Sequence, residues 1–94
     1  MATIGVLTLD LHIEHSHSLK DKRQVVRSLK DRLRGKFNVA TAELDYHDNW
    51  QRAVIGVVTL AGDRGRVQEV LQRVEREAAD LLGPSLAGAD VEYF

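Results

Sequence analysis

Hydrophobic and polar residues change their spacing along this 94-residue chain, and each change predicts the start of a new element. Positions 3–13 alternate between apolar and polar residues, a pattern typical of a strand with one buried face. From Ser18, a predicted N-cap, to Gly35, the apolar residues recur at helical spacing. The apolar face of this first helix consists of Val25, Val26, Leu29 and Leu33.

The second half of the chain shows the same two spacings. Positions 37–45 and 51–61 predict two strands joined by a polar turn. A second helix is predicted to begin at Gly62 and to be stopped at Gly83, which a proline follows. Its apolar face consists of Val67, Val70, Leu71, Val74, Ala78 and Leu81. Positions 89–94 predict a short final strand.

This order of elements predicts a single α+β domain that occupies residues 1–94. The arrangement βαββαβ is that of a ferredoxin-like sandwich, an antiparallel four-stranded sheet with two helices on one face. In that topology the start of the first helix and the turn between the second and third strands lie at the same end of the sheet. We therefore expect residues 12–22 to approach residues 45–52, and any site to lie there.

Composition restricts the kinds of protein that this chain can be. With 44% hydrophobic and 29% charged residues, it has the balance of an ordinary globular domain. It contains no cysteine, which excludes disulfides, thiol catalysis and thiolate metal sites. No apolar run approaches the ~20 residues that span a bilayer, and no charged signal-peptide start precedes the first strand. We therefore expect a cytoplasmic protein with no membrane partner.

The net charge of −1 conceals an uneven distribution. Positions 18–36 contain eight basic and two acidic residues, whereas the rest of the chain contains five basic and twelve acidic ones. At ~100° per residue, five basic side chains of the first helix fall within an arc of roughly 80°. This basic stripe consists of Lys20, Arg23, Arg27, Lys30 and Arg34.

Two interpretations of the basic stripe remain open. Cations at one-turn spacing can meet successive phosphates, and each contact releases counterions, which favours RNA docking. Equally, a charged helix face is often only solvated. The predicted nucleic-acid surface also includes Arg52 and Trp50, whose indole either stacks on a base, anchors a protein partner or closes the end of the core. Recognition of a DNA sequence is not expected.

Lys22 differs from the other cations because it projects near the centre of the apolar face of the first helix. A lysine in that position needs a partner, and the expected topology offers Glu43 or Asp45. A structural ion pair that anchors the helix to the sheet is the favoured interpretation, ahead of a catalytic role.

Histidines and carboxylates gather at the same predicted edge, in two short segments of the sequence. Imidazole and carboxylate ligands together suit zinc, iron or manganese. Their spacing matches no established motif, and loop histidines are usually solvent-exposed, so neither a metal nor a cofactor is predicted. The residues are His12, Glu14, His15 and His17, with Asp45, His47 and Asp48.

Several motifs of enzymes and binding domains are absent from the chain. The first and third strands carry no aromatic residues, so the base-stacking platform of an RNA-recognition motif is missing. There is also no glycine-rich phosphate loop and no GxSxG nucleophile motif. A catalytic function is therefore not favoured, and no catalytic residue is predicted.

The outer face of the predicted sheet is apolar in part. If Leu7, Leu9 and Leu11 face the helices, then Ile4, Val6 and Thr8 point outward together with an apolar row of the third strand. Such a face is commonly covered by a second subunit, so we expect a homodimer through the sheet.

Two stretches of the sequence resemble a known family. They are Ser18-Leu19-Lys20-Asp21-Lys22-Arg23, and Phe37-Asn38-Val39-Ala40 through Ala42-Glu43-Leu44-Asp45 to Asp48-Asn49-Trp50-Gln51-Arg52. Along essentially the whole chain this pairing resembles the YlxP-like family of bacterial proteins, domain of unknown function 503. The resemblance implies a ferredoxin-like domain with no established activity, often encoded among translation and ribosome-maturation genes. The histidines at 12, 15 and 17 lie outside the family pattern.

Taken together, these features favour a non-enzymatic protein that docks on RNA or a ribosomal assembly through the basic stripe. One alternative is a protein–protein adaptor that uses the outer sheet and Trp50. Another is a metal-dependent enzyme at the edge formed by positions 12–17 and 45–48.

Overall fold

A computed structural model describes residues 1–94, and it has the expected βαββαβ order. The elements are β1 (Thr3–His12), α1 (Leu19–Lys36), β2 (Ala40–Asp45), β3 (Arg52–Ala61), α2 (Arg64–Leu82), a 3₁₀ turn (Gly83–Ser85) and β4 (Leu86–Tyr93). All strand pairs are antiparallel and the sheet order is β2-β3-β1-β4. Both helices pack on one face of the sheet, so the predicted ferredoxin-like sandwich is confirmed.

The core lies between the sheet and the two helices. From β1, Leu7, Leu9 and Leu11 are completely buried in it, as their alternation predicted. Gly5 lets α2 approach this strand closely, because a Cβ atom there would lie 2.5 Å from a methyl carbon of Val67. The alternation of β1 therefore fixes which of its residues face the helices.

The start of α1 agrees with its predicted capping signal. The backbone N–H of Asp21 donates to Ser18 Oγ at 3.0 Å, and the Asp21 carboxylate accepts from the N–H of His17 at 3.0 Å. The carboxylate thus reaches one residue further back than in a regular capping box. These contacts satisfy two backbone donors at the beginning of the helix.

The ends of several elements differ from the prediction. Helix α1 continues past Gly35, because the N–H of Phe37 still donates to Leu33 O at 3.0 Å. β2 consequently starts at Ala40 rather than at position 37. β4 starts three residues earlier than predicted, since Leu86 pairs with Leu11 of β1.

The apolar face of α2 is also shifted at its C-terminal end. Leu82 is buried there, whereas Leu81 is only partly buried. Gly83 follows with a φ of 55°, a left-handed conformation that favours glycine and ends the helix. Neither α1 nor α2 combines the length and hydropathy that a helix needs to cross a membrane.

Candidate functional site

The side chain of Lys22 extends from the first turns of α1 to the loop between β2 and β3. Its ammonium group donates to the backbone carbonyl oxygens of Tyr46, His47 and Arg52, at distances of 2.7, 3.2 and 3.3 Å respectively. The carboxylate oxygen Oε2 of Glu43 lies 3.1 Å from the same nitrogen. Lys22 is fully buried, so these four oxygens replace the water that the ammonium has lost.

An ammonium group has three protons, and the three carbonyls account for all of them. Glu43 Oε2 therefore contacts Lys22 as a counter-charge and receives no hydrogen bond of its own. Asp45, the other predicted partner, does not reach the lysine. Its carboxylate accepts from the backbone N–H of Tyr46 at 2.7 Å instead, because a register shift between Glu43 and Asp45 changes the course of the strand.

Further contacts hold the β2–β3 loop against the start of α1. Asn49 Oδ1 accepts from the N–H groups of Gln51 and Arg52, at 2.8 and 3.0 Å. The side-chain amide of Gln51 donates across to the carbonyls of Glu14 and Ser16, at 3.2 and 3.3 Å. The two segments that the topology was expected to bring together do meet, and backbone groups supply much of the contact.

The basic stripe contains cations that differ in their ionic contacts. Across the whole protein six basic side chains have a carboxylate within 4.0 Å: Lys22, Arg32, Arg34, Lys36, Arg52 and Arg66. Arg34 is the one stripe member among them, since its guanidinium lies 2.7 Å from Asp31. The other four stripe cations, Lys20, Arg23, Arg27 and Lys30, have no carboxylate within that distance.

The stripe lies on the flank of α1 that faces away from α2. On the opposite flank Arg32 and Lys36 reach across to Glu77 of α2, with nitrogen–oxygen distances of 3.4 and 2.9 Å. The hydrogen bond from Lys36 and the two nearby cations lower the pKa of Glu77. The α2-facing cations of the helix are thus neutralised within the protein, whereas Lys20, Arg23, Arg27 and Lys30 of the stripe have no carboxylate within 4.0 Å.

Arg52 does not belong to the same surface as the stripe. Arg52 is paired across the sheet with His12, and its guanidinium lies 3.6 Å from Asp10 and 4.2 Å from the ring centre of Tyr46. Because the neighbouring Ala53 is buried under the helices, Arg52 points to the outer face of the sheet. Trp50 is 52% exposed in the loop, so it does not close the core.

The histidines predicted as an alternative metal site are dispersed. His12 lies at the end of β1 opposite Arg52, and His15 lines a cavity of about 300 Å³ between the two helices. The Nε2 atom of His47 contacts the backbone oxygen of Glu43 at 3.1 Å. No three histidine, aspartate or glutamate side chains converge in a geometry that suits a metal ion.

Sequence reasoning overlooked a second cationic region, on α2. Arg73 lies 5.5 Å above the ring of Phe37, and together with Lys36 and Arg76 it lines a groove of about 620 Å³. Glu77 and Asp80 line the same groove and offset part of its charge. Arg73 and Arg76 are one helical turn apart, and this spacing could have revealed the region. The acidic residues around them cancel their charge, so the net charge of the segment did not indicate it.

The fold defines the class of protein. The de novo designed protein Foldit4 has a TM-score of 0.61 at 14% identity, and the match covers 100% of this chain and 97% of that one. LFR1 1, a de novo designed protein with a ferredoxin fold, has a TM-score of 0.56 at 11% identity over 100% and 84% of the two chains. The chain therefore has a ferredoxin-like fold, one that hosts many unrelated functions.

The family follows from the sequence matches. The family model described as "Protein of unknown function (DUF503)" matches residues 4–86. The "Uncharacterized protein YlxP" of Bacillus subtilis (strain 168) is 37% identical over 71 residues, which is 76% of this chain and 77% of that protein. The chain belongs to the DUF503 family, as the resemblance implied, and the function of this family is not established.

Proposed function

We propose that this protein docks on structured RNA through phosphate contacts made by the basic stripe. The supporting observation is that Lys20, Arg23, Arg27 and Lys30 lie on one flank of α1 without a carboxylate partner. These four cations extend over about 15 Å of helix, since each residue adds about 1.5 Å. A row of free cations of this length fits consecutive phosphates of a nucleic-acid strand.

The chemistry of the stripe favours contact with the backbone of the RNA over reading of its bases. No aromatic residue lies between Lys20 and Lys30 in α1, so stacking on unpaired bases has no platform there. Arg34 contributes less than its position predicted, because Asp31 already neutralises it. Arg52 is left out of the proposed surface because it lies on the opposite side of the sheet.

A charge-reversal experiment tests the proposal. Binding to a structured ribosomal RNA fragment is measured against salt concentration for the wild type and for an Arg23→Glu/Arg27→Glu/Lys30→Glu variant. The variant is expected to bind more weakly, and the slope of log K against log salt should fall by about 2 to 3, since three phosphate contacts are lost.

The matched control reverses three arginines of α2 that have no carboxylate within 4.0 Å, in an Arg64→Glu/Arg73→Glu/Arg76→Glu variant. This control changes the net charge by the same amount but leaves the stripe intact. It should keep the salt slope of the wild type. Equal loss in both variants would show that only net charge matters and would contradict the proposal, as would RNA affinity that does not depend on salt.

A second measurement tests the ribosomal setting. The protein should co-sediment with ribosomal subunits at low salt and be released at high salt, whereas the stripe variant should remain in the supernatant. Retention of an acidic protein that resists nuclease treatment, with no RNA bound, would favour the adaptor alternative instead.

A further inference from the structure

The outer face of the sheet is apolar over three of its four strands. The strand registers place these residues on the side away from the helices, opposite the buried positions of the same strands. The set comprises Ile4 and Val6 of β1, Val54, Val58 and Leu60 of β3, and Ala40, Ala42 and Leu44 of β2. Phe94 extends it, since its backbone pairs with Ile4 through two hydrogen bonds.

This apolar face is exposed to solvent at its large side chains. Leu44, Leu60 and Phe94 are 53%, 64% and 69% exposed. Leu44 lies flat on the sheet across Gly56, where a Cβ atom would come within 2.8 Å of a leucine methyl carbon. Glycine at that position therefore lets a leucine cover the strand, and the face becomes flatter and more continuous.

Charged residues lie only at the margins of this face. At one end Arg52 and Asp10 already form an ion pair, with a nitrogen–oxygen distance of 3.6 Å. On the outermost strand, β4, Asp90 and Glu92 are the cross-strand neighbours of Thr8 and Val6. A partner that covers β2, β3 and β1 therefore buries no unpaired charge, which is the condition that a stable apolar interface requires.

We propose that a second copy of this chain covers the outer face of the sheet, forming a two-fold homodimer. Strands about 4.8 Å apart that rise about 3.3 Å per residue give the covered strands β1, β2 and β3 a projected area of about 410 Å². That is about 7% of the 5701 Å² surface of the chain, compared with the roughly 10% that standard interfaces bury on a small protein. The accessible area exceeds the projection because the side chains protrude.

The charges on β4 place the two-fold axis along β3. With the axis there, β2 of each copy lies over β1 of the other, and the two β4 strands stay at opposite rims. An axis between β3 and β1, at the middle of the sheet, would place Asp90 and Glu92 of β4 over the apolar β2 strand of the other copy. There the two carboxylates would lose hydration without gaining a cation. The basic stripes belong to the helical layer, so both remain accessible in the dimer.

The oligomeric mass of two variants tests this inference independently of RNA binding. The wild type should have twice the 10.5 kDa monomer mass at micromolar concentration. A Leu44→Lys/Leu60→Lys variant should have the monomer mass, because lysines in the interface would be desolvated without partners. The control, Gln72→Lys/Ala79→Lys, changes exposed residues of α2 and should remain dimeric.

Circular dichroism establishes that each variant is folded, and a cross-link supplies a second readout. The chain lacks cysteine, so Val58→Cys introduces a single thiol beside the proposed axis. A bis-maleimide reagent with a short linker should join Val58→Cys into a dimer, because packed sheets lie about 10 Å apart and a disulfide is too short to span them. Gln68→Cys on α2 should not be cross-linked. A monomeric wild type, a lysine variant that stays dimeric, or no cross-link at Val58 would each overturn the proposal.

Discussion

At the N-terminal end of α1, a fully buried lysine is bound by three backbone carbonyls and one carboxylate. At the C-terminal end of the same helix, Arg32 and Lys36 reach Glu77 of α2 while remaining about half exposed. Both ends use cations to hold α1 against a neighbouring element. They differ in how much water each cation has lost.

That difference decides how much each contact contributes to stability. An exposed ion pair exchanges good solvation for a modest Coulomb attraction, so its loss changes the free energy of unfolding only slightly. A buried ammonium has no alternative to its protein ligands, and the carbonyls that it binds have none either. The N-terminal contacts of α1 should therefore be far more sensitive to mutation than the C-terminal ones.

The largest effect is expected for Lys22→Met. The substitution keeps most of the side-chain volume but leaves three carbonyls and the Glu43 carboxylate without their cation. The free energy of unfolding should fall by about 3 to 5 kcal/mol, as measured by urea denaturation. This is a large fraction of the ~5–15 kcal/mol that stabilises a typical domain.

Lys20→Met supplies the matched control, because it makes the same change two residues earlier on the exposed side of the helix. Its stability should stay within about 0.5 kcal/mol of the wild type. Glu43→Gln is a milder probe that leaves the three carbonyl contacts of Lys22 in place, and it should destabilise less than Lys22→Met. Equal effects of the two methionine variants would contradict the distinction between the buried and the exposed cations.

A smaller effect is expected at the N-cap of the same helix. Ser18→Ala removes the acceptor for the N–H of Asp21, and the free energy of unfolding should fall by about 1 kcal/mol. Ser18→Asp retains an acceptor and should be close to the wild type in a thermal melt. If Ser18→Ala lowered the free energy of unfolding as much as Lys22→Met, the cap would stabilise this end of the helix as much as the buried lysine does, which would contradict the expected order.

The smallest effect is expected from the surface pairs at the other end. The pKa of Glu77 is lowered in the folded state, so its pairing contributes stability above the unfolded pKa and loses it as pH falls through the folded value. Glu77→Gln should therefore be slightly less stable than the wild type at neutral pH. The difference should begin to shrink as the pH falls below the ordinary glutamate value of 4.5, and it should disappear only below the lowered pKa of the folded state.

Salt provides the control for this last prediction. High ionic strength should shrink the difference between Glu77→Gln and the wild type at neutral pH, because the two cations that pair with Glu77 are about half exposed and salt screens them. Thermal melts at several pH values measure both trends. A difference that persists in acid or in high salt would mean that Glu77 acts through packing.

Much of this helix could be predicted from residue types alone. Ser18 and Asp21 predicted where the helix begins, and the spacing of Val26, Leu29 and Leu33 predicted its buried face. Lys22 was visible as an anomaly because a lysine stood within that face. The choice of Glu43 over Asp45 was not predictable, since it depends on a local register shift in β2.

Contacts made by backbone groups cannot be predicted from residue types. The carbonyls of Tyr46, His47 and Arg52 bind Lys22, yet every residue carries the same carbonyl group. The start of β4 at Leu86 was missed for a related reason: strand pairing with β1 extends it beyond the residues whose alternation is clear.

The sequence by itself determined the order of elements, the faces that they bury and the concentration of positive charge on α1, because these depend on residue types at regular spacing. Only the tertiary structure decided which of those charges remain free. Glu77 of α2 neutralises Arg32 and Lys36, and Arg52 of β3 points to the outer face of the sheet, away from α1. Ion pairing depends on distances across the fold, and neighbours in the chain do not reveal them.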